Sequence, residues 1–317
     1  MHRISLIATV ALAFAVGLIA SPAMAAHRLV VQGNGKLAIV GEDEKVEWEM
    51  PWGAIHDLHV LADGHIMVQQ GGAKVAEIDP ATKKVVWSYD SATSNGNAGK
   101  PVEVHSFQPL AAGRVMIAES GPARIIEVDR DGKLLKEIKL KVDHPHPHRD
   151  TRLVRKLENG HYLVCHEGDG AVREYDESGK TVWKYDVPLF DRKPADGHGA
   201  KAWGNQTFAA VRLSSGNTLI STGNGHGVVE VTPDKEIVWR LQQTDLPDVV
   251  LAWVTTLEVL PNGNYVIGNC HAGEGQPLLV EIEPKEKRVV WRFDQHSTWG
   301  DSVSNTQLLD IKGGSLR

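Results

Sequence analysis

Leu260-Pro-Asn-Gly263-Asn264, then Leu279-Val280-Glu281-Ile282, then Val289-Val290-Trp291-Arg292-Phe293-Asp294: one stretch holds all three pieces. The first is a tight turn, because Asn-Gly supplies the positive backbone angles that short hairpin loops require. The second and third alternate apolar and polar residues with period 2, as half-buried strands do. A short charged turn, Pro284 to Arg288, separates them. The same order recurs along the chain. The Glu position returns at Glu77, Glu127, Glu174 and Glu230, with spacings of 50, 47, 56 and 51 to Glu281. The Trp position returns at Trp87, Trp183 and Trp239, with Trp48 near the start and Lys136 replacing Trp in one unit. The turn glycine returns at Gly64, Gly113, Gly160 and Gly216.

Each unit therefore reads strand, Gly turn, strand, Gly-rich loop, strand, charged turn, strand. Four-stranded units of this length, repeated, are the mark of propeller blades. Five complete units run from about Ile55 to Phe293. Leu29 to Met50 adds three strands, and Val303 to Asp310 adds an inner one, so the two ends share a sixth blade and close the ring. The expectation is an all-β, six-bladed β-propeller of about 49 residues per blade. It replaces the two-domain prior that 317 residues would otherwise suggest. The recurrent Trp read as packing between blades, and the recurrent Glu as a structural feature of the third strand.

Residues 1–25 read as a secretory signal peptide: Arg3, an apolar core over Ile4 to Ala20, and Ala23-Met24-Ala25 as a small-residue cleavage site. The propeller would then occupy 26–317 as one domain, periplasmic or secreted, with no membrane span after cleavage. Two Cys cannot make a disulfide framework, and Cys165 and Cys270 fall in non-adjacent blades, so two separate thiols are expected. A net charge of −6 argues against nucleic acid as a partner.

Histidine carries the functional signal. There are 15. Strand direction alternates within a blade, so loops between strands two and three emerge on the same face as blade-to-blade connections. Ten histidines sort to that face: His56, His105, His144, His146, His148, His166, His198, His226, His271 and His296. Asp57, Arg149, Arg152, Lys201, Trp203, Trp253 and Trp299 accompany them. Loops converging on a rigid channel mouth make a natural binding site. Histidine there can act as base, nucleophile or metal ligand.

The catalytic candidates are His56, His105, His148, His198 and Arg152. Asp57, Arg149, Lys201, Trp203, His226, Trp253 and Trp299 are substrate-binding candidates, with a small-molecule or glycan ligand expected. A transition metal (Zn, Cu, Mn or Fe, rather than oxygen-seeking Ca) could be held by His105, His148, His166 and His271. In the run Asp143-His144-Pro-His146-Pro-His148, the prolines splay alternate side chains, so His148, nearest the inner strand, is expected to reach the centre. Cys165-His166 and Cys270-His271 are each expected to split into a buried Cys and a site-facing His.

The Asn262-Gly-Asn264, Glu281 and Trp291 repeat resembles the quinoprotein-like, or PQQ-like, β-propeller repeat. Ile55-His56-Asp57-Leu58 with Leu61-Ala-Asp-Gly64 is most similar to the bacterial arylsulfotransferase family, exported six-bladed propellers. That resemblance implies sulfuryl transfer through a central histidine, helped by further His and Arg, parts that His56, His105, His148, Arg152 and His198 would take by position. The chain has no room for that family's N-terminal β-domain. Quinoprotein dehydrogenases resemble it less, having eight blades and an adjacent-Cys pair, so PQQ itself is not expected. The readings that compete are an enzyme on an anionic or carbohydrate-like substrate (sulfuryl transfer, or metal-assisted lyase or hydrolase chemistry) and a non-catalytic binding propeller.

Overall fold

A computed structural model describes residues 26–317; the signal-peptide expectation lies outside the described residues. Twenty-four strands form six four-stranded antiparallel sheets. Blades 1 to 5 span residues 58–90, 103–139, 154–186, 210–241 and 253–293. In blade 6, Thr306–Leu308 is the inner strand and pairs with Leu29–Gly33, followed by Lys36–Val40 and Val46–Pro51. The two ends of the described chain thus close the ring. Among the described residues no helix is long and apolar enough to cross a membrane. Core residues such as Leu58, Ile66, Val164, Ile220 and Val280 are wholly buried between neighbouring sheets.

The recurrent residues explain how one blade grips the next. In blades 1 to 5 the turn glycine has φ between 70° and 87° (Gly64, Gly113, Gly160, Gly216, Gly263), a region that side chains with a Cβ enter at a cost. The very next residue reaches across to the repeated Glu: His65 to Glu77 at 2.8 Å, Arg114 to Glu127 at 3.3 Å, His161 to Glu174 at 2.6 Å, Asn217 to Glu230 at 2.7 Å, and Asn264 to Glu281 at 2.5 Å. The same Glu then takes a partner from the following blade. Arg130 binds Glu77 at 2.6 Å, Lys156 and Tyr162 bind Glu127, Arg212 binds Glu174 at 2.7 Å, Tyr265 approaches Glu230 at 3.5 Å, and His27 binds Glu281 at 2.9 Å. A buried carboxylate is tolerable only when so satisfied.

The Trp residues also span blades, as their repetition predicts. Trp48, Trp87, Trp183 and Trp239 each donate their indole N–H to a carbonyl in the third turn of the next blade: Pro80, Arg130, Pro233 and Pro284. Lys136, standing where Trp is missing, bridges instead to Glu177 at 3.1 Å. Ring closure has its own latch: His27 sits with Nε2 on Glu281 and Nδ1 on Asp310 at 2.8 Å, edge-on to Trp291.

Candidate active site

Three histidines from three different segments meet at the channel mouth. His56 precedes the inner strand of blade 1, His105 lies in that of blade 2 (Glu103–Pro109), and His148 ends the His-Pro run before blade 3. Ring centroids stand 4.5 Å apart for His56 and His105, 5.1 Å for His105 and His148, and 6.0 Å for His56 and His148. Of the proline-rich run, His148 alone joins this group. His144 turns outward onto Asp169, and His146 accepts the backbone N–H of His148.

Hydrogen bonds fix the tautomers. His56 Nδ1 donates to Gln69 Oε1 (3.2 Å), which also accepts the His56 backbone N–H at 2.6 Å. Its Nε2 makes no hydrogen bond among the described residues and keeps a lone pair. Burial, reinforced by the charges of His105 and Arg152, holds its pKa well below the ordinary imidazole value. Arg152 Nη2 donates to His148 Nε2 at 3.1 Å, so His148 Nδ1 carries the proton it gives Glu103 Oε2 at 2.7 Å. His105 Nδ1 donates to the carbonyl of Thr151 at 2.9 Å. Its Nε2 therefore turns a lone pair on Glu103 Oε2, 2.9 Å away, unless a proton or a cation sits between them. With a proton on His105 Nε2, its hydrogen bond and that of His148 bring Glu103 down to about 2, while burial pushes His105 below its usual value.

Glu103, His105 and His148 present one oxygen and two nitrogens within 4.8 Å of one another. Two imidazoles and a carboxylate suit a borderline transition metal, and the Thr151 carbonyl is the outer partner that orients a ligating imidazole. Arg152 is held in place by Glu167, is 4% exposed, and leaves Nη1 buried without a partner. Sequence reading missed Glu103, Gln69, Glu167 and Thr151. Glu103 was reachable: two residues before His105 on one strand, it shares that residue's side of the sheet.

The remaining candidates separate from this group. His198, exposed, packs on Trp253 (4.5 Å) and His271 (5.6 Å), a second aromatic cluster over blades 4 and 5. Arg149 and Lys201 are exposed at the rim, with no side-chain partner among the described residues. His226 is buried beside Trp203 and lowered to about 4 by burial, its Nε2 unpartnered.

Four expectations need correcting. His166 does not face the site: it is wholly buried between the carbonyl of Asp150 (2.7 Å) and the hydroxyl of Tyr175 (2.9 Å), which occupies both ring nitrogens and leaves none for a metal. Trp299 is 1% exposed; a Cβ at Gly33 would stand 2.2 Å from its carbonyl, so it is ring packing. Trp203 donates to the Leu189 carbonyl and lies under Arg192, so its indole edge is spent on its own loop. Asp57 is wholly buried, bound to Arg155, Ser106 and Asn305, and braces three inner strands below the site. Cys165 and Cys270 are free, buried thiols, each pushed up to about 12 by burial and thus unreactive.

Among solved structures, a protein of unknown function from Bacteroides caccae superposes with a TM-score of 0.73 at 23% identity, covering 90% of this chain and 99% of that one. A streptogramin B lyase gives 0.55 at 11%, covering 86% and 84%. A virginiamycin B lyase from Staphylococcus aureus gives 0.53 at 14%, covering 85% and 84%. Identities this low show the fold alone. None of the curated proteins matches the sequence. Residues 33–293 match a PQQ-like repeat family described as outer membrane protein assembly factor BamB. That match takes in blades 1 to 5 and the two outer strands of blade 6, and the protein belongs to this BamB-type, PQQ-like repeat family.

Proposed function

We propose that the protein is an exported enzyme that acts on a small anionic substrate through a metal-assisted lyase or hydrolase reaction. Glu103, His105 and His148 would hold a divalent transition metal, His148 through Nδ1 once its proton moves to Nε2 and Arg152 releases that nitrogen. The metal would polarise the substrate or an attacking water when bound. His56 Nε2, neutral and unpartnered, would take the proton. Arg152 would bind the anionic group with the guanidinium edge that has no partner. One observation carries the reading: two imidazoles and a carboxylate from two neighbouring segments converge within 4.8 Å, beside a third imidazole with a free lone pair. A propeller neighbour named a virginiamycin B lyase, of which a His-to-Ala variant is described as catalytically inactive, supports histidine chemistry on such a ring. The arylsulfotransferase resemblance gives a metal-free version, in which His56 accepts the sulfuryl group.

The test is elemental analysis of purified protein together with turnover of lyase, ester and aryl sulfate substrates. About one transition metal per chain, with turnover abolished by chelation, is expected. A sulfated histidine formed without metal would replace this version with sulfuryl transfer.

A second reading has its own support. The family carries the description of an assembly factor, which favours a non-catalytic propeller that holds a peptide, glycan or protein partner. Absence of both metal and turnover, with a partner retained on the histidine face, would put that reading first.

A further inference from the structure

The face opposite the histidines carries a cavity of about 440 Å³ that the proposed chemistry does not use. Arg155, Lys156, Arg212 and Arg317 line it, above the apolar side chains of Leu157 and Leu213. Three of the cations are matched by buried carboxylates: Arg155 by Asp57 at 2.8 Å, Lys156 by Glu127, and Arg212 by Glu174 at 2.7 Å. Arg317 is different. Its Nη1 donates to Leu58 O (3.0 Å) and Gln307 Oε1 (2.7 Å), and its Nη2 to Asn305 Oδ1 (3.0 Å) and Thr306 O (2.7 Å), all of them neutral. Glu258, the acid near it, is wholly buried and takes the Ser315 hydroxyl instead. Burial disfavours the Arg317 charge most, with Arg155 adding to it, and the nearby charges of Glu258 and Asp57 offset this only in part. Arg155 in turn leaves Nε buried without a partner. The acid that remains on the lining, Glu158, is exposed.

Two guanidinium groups thus flank one cavity, one with no carboxylate bonded to it and the other with an unused donor. An oxyanion is the ligand that supplies the charge Arg317 lacks, meeting the one donor its neutral partners leave, Nε, because guanidinium N–H groups match its oxygens and its charge. The leucine wall adds room for a short apolar body, and the volume lies in the range of small-molecule sites. We propose that this cavity binds a small organic oxyanion, a carboxylate or phosphate monoester with a short apolar body, as a second site distinct from the histidine cluster.

Calorimetric titration with phenyl phosphate and with hexanoate tests it, using full-length protein carrying Arg152→Gln to remove the anion contact on the histidine face. One site per chain is expected, with inorganic phosphate binding more weakly than phenyl phosphate. Affinity should fall at least about tenfold in Arg317→Gln. Leu213→Trp, which fills the cavity without touching an ion pair, should give the same loss while the melting temperature is kept. No binding of either probe, or binding unchanged by Leu213→Trp, would overturn the proposal. Because Arg152→Gln is the background throughout, failure here leaves the histidine-site reading untouched, and failure of that reading leaves this one standing.

Discussion

Histidine meets glutamate at both ends of the ring, and the two kinds of meeting differ. On the turn face, His65 sits on Glu77 and His161 on Glu174, each completed by an arginine of the next blade. In the other blades Arg114, Asn217 and Asn264 do the same job from the same position after the turn glycine. On the mouth face, His105 and His148 share Glu103, with His56 beside them, and among the described residues no other blade repeats the arrangement. The lesson is that a histidine replaceable by Asn or Arg in register is scaffold, whereas histidines that converge out of register are available for chemistry. The contrast holds even though Asp63, His65 and Glu77 also lie within 4.8 Å of one another. There both Glu77 oxygens already serve His65 and Arg130.

The contrast breaks most visibly in activity. His56→Ala should cut turnover by about 10²–10⁴-fold, the usual worth of a positioned base, with unfolding free energy changed by less than about 1 kcal/mol. A folded variant of normal activity would remove His56 from the mechanism. On the turn face the effects should reverse. Glu127→Ala strands Lys156, Tyr162 and Arg114 around a buried gap, and urea denaturation should show a loss of about 3 kcal/mol with the activity of the folded fraction retained. Loss of activity without loss of stability would place this Glu in the site.

A smaller effect comes from the closing latch. Burial alone would lower the pKa of His27, but hydrogen bonds to Glu281 and Asp310 outweigh it and raise it above the ordinary imidazole value. A raised histidine stabilises fully below its unfolded pKa of about 6.5 and loses that contribution as pH rises through the folded value. Glu281 has the opposite sign. Its pKa is held down by His27 and Asn264 against burial, so its share is lost on acidification. The advantage of wild type over His27→Gln in unfolding free energy should therefore shrink from pH 6 to pH 9 by an amount of order 1 kcal/mol, the scale of a charge-assisted hydrogen bond, and the two pH slopes should differ. The comparison is a difference because the histidines that burial lowers, His56, His59, His105, His166, His226 and His271, titrate with the opposite sign. An unchanged slope would mean that the latch is not charged. The smallest effect belongs to His161→Asn, which swaps in the residue blades 4 and 5 already use; stability and activity should both move by less than about 0.5 kcal/mol.

Much of this was legible in the sequence because repetition is itself a physical signal. Glu281, Trp291 and Gly263 recur in register; Glu281 and Trp291 meet His27 of the next blade, and Gly263 makes the turn that places Asn264 on Glu281. The convergence of His56, His105, His148 and Arg152 was readable from strand direction, which sorts loops to one face. Partners supplied by packing were not readable. His166 ends a strand like a loop histidine, yet Tyr175, on the strand beside it, and the Asp150 carbonyl enclose it. Trp299 looks like a rim aromatic until the first strand of the closing blade packs over it. Gln69, which sets the tautomer of His56, lies on the neighbouring strand and has no sequence mark of its own.

The most direct measurement is a zinc titration followed by calorimetry on wild-type protein and on His105→Ala and His65→Ala variants. The proposed site predicts one ion per chain, binding abolished by His105→Ala and unaffected by His65→Ala. No stoichiometric binding, or binding that follows His65 instead, would contradict it.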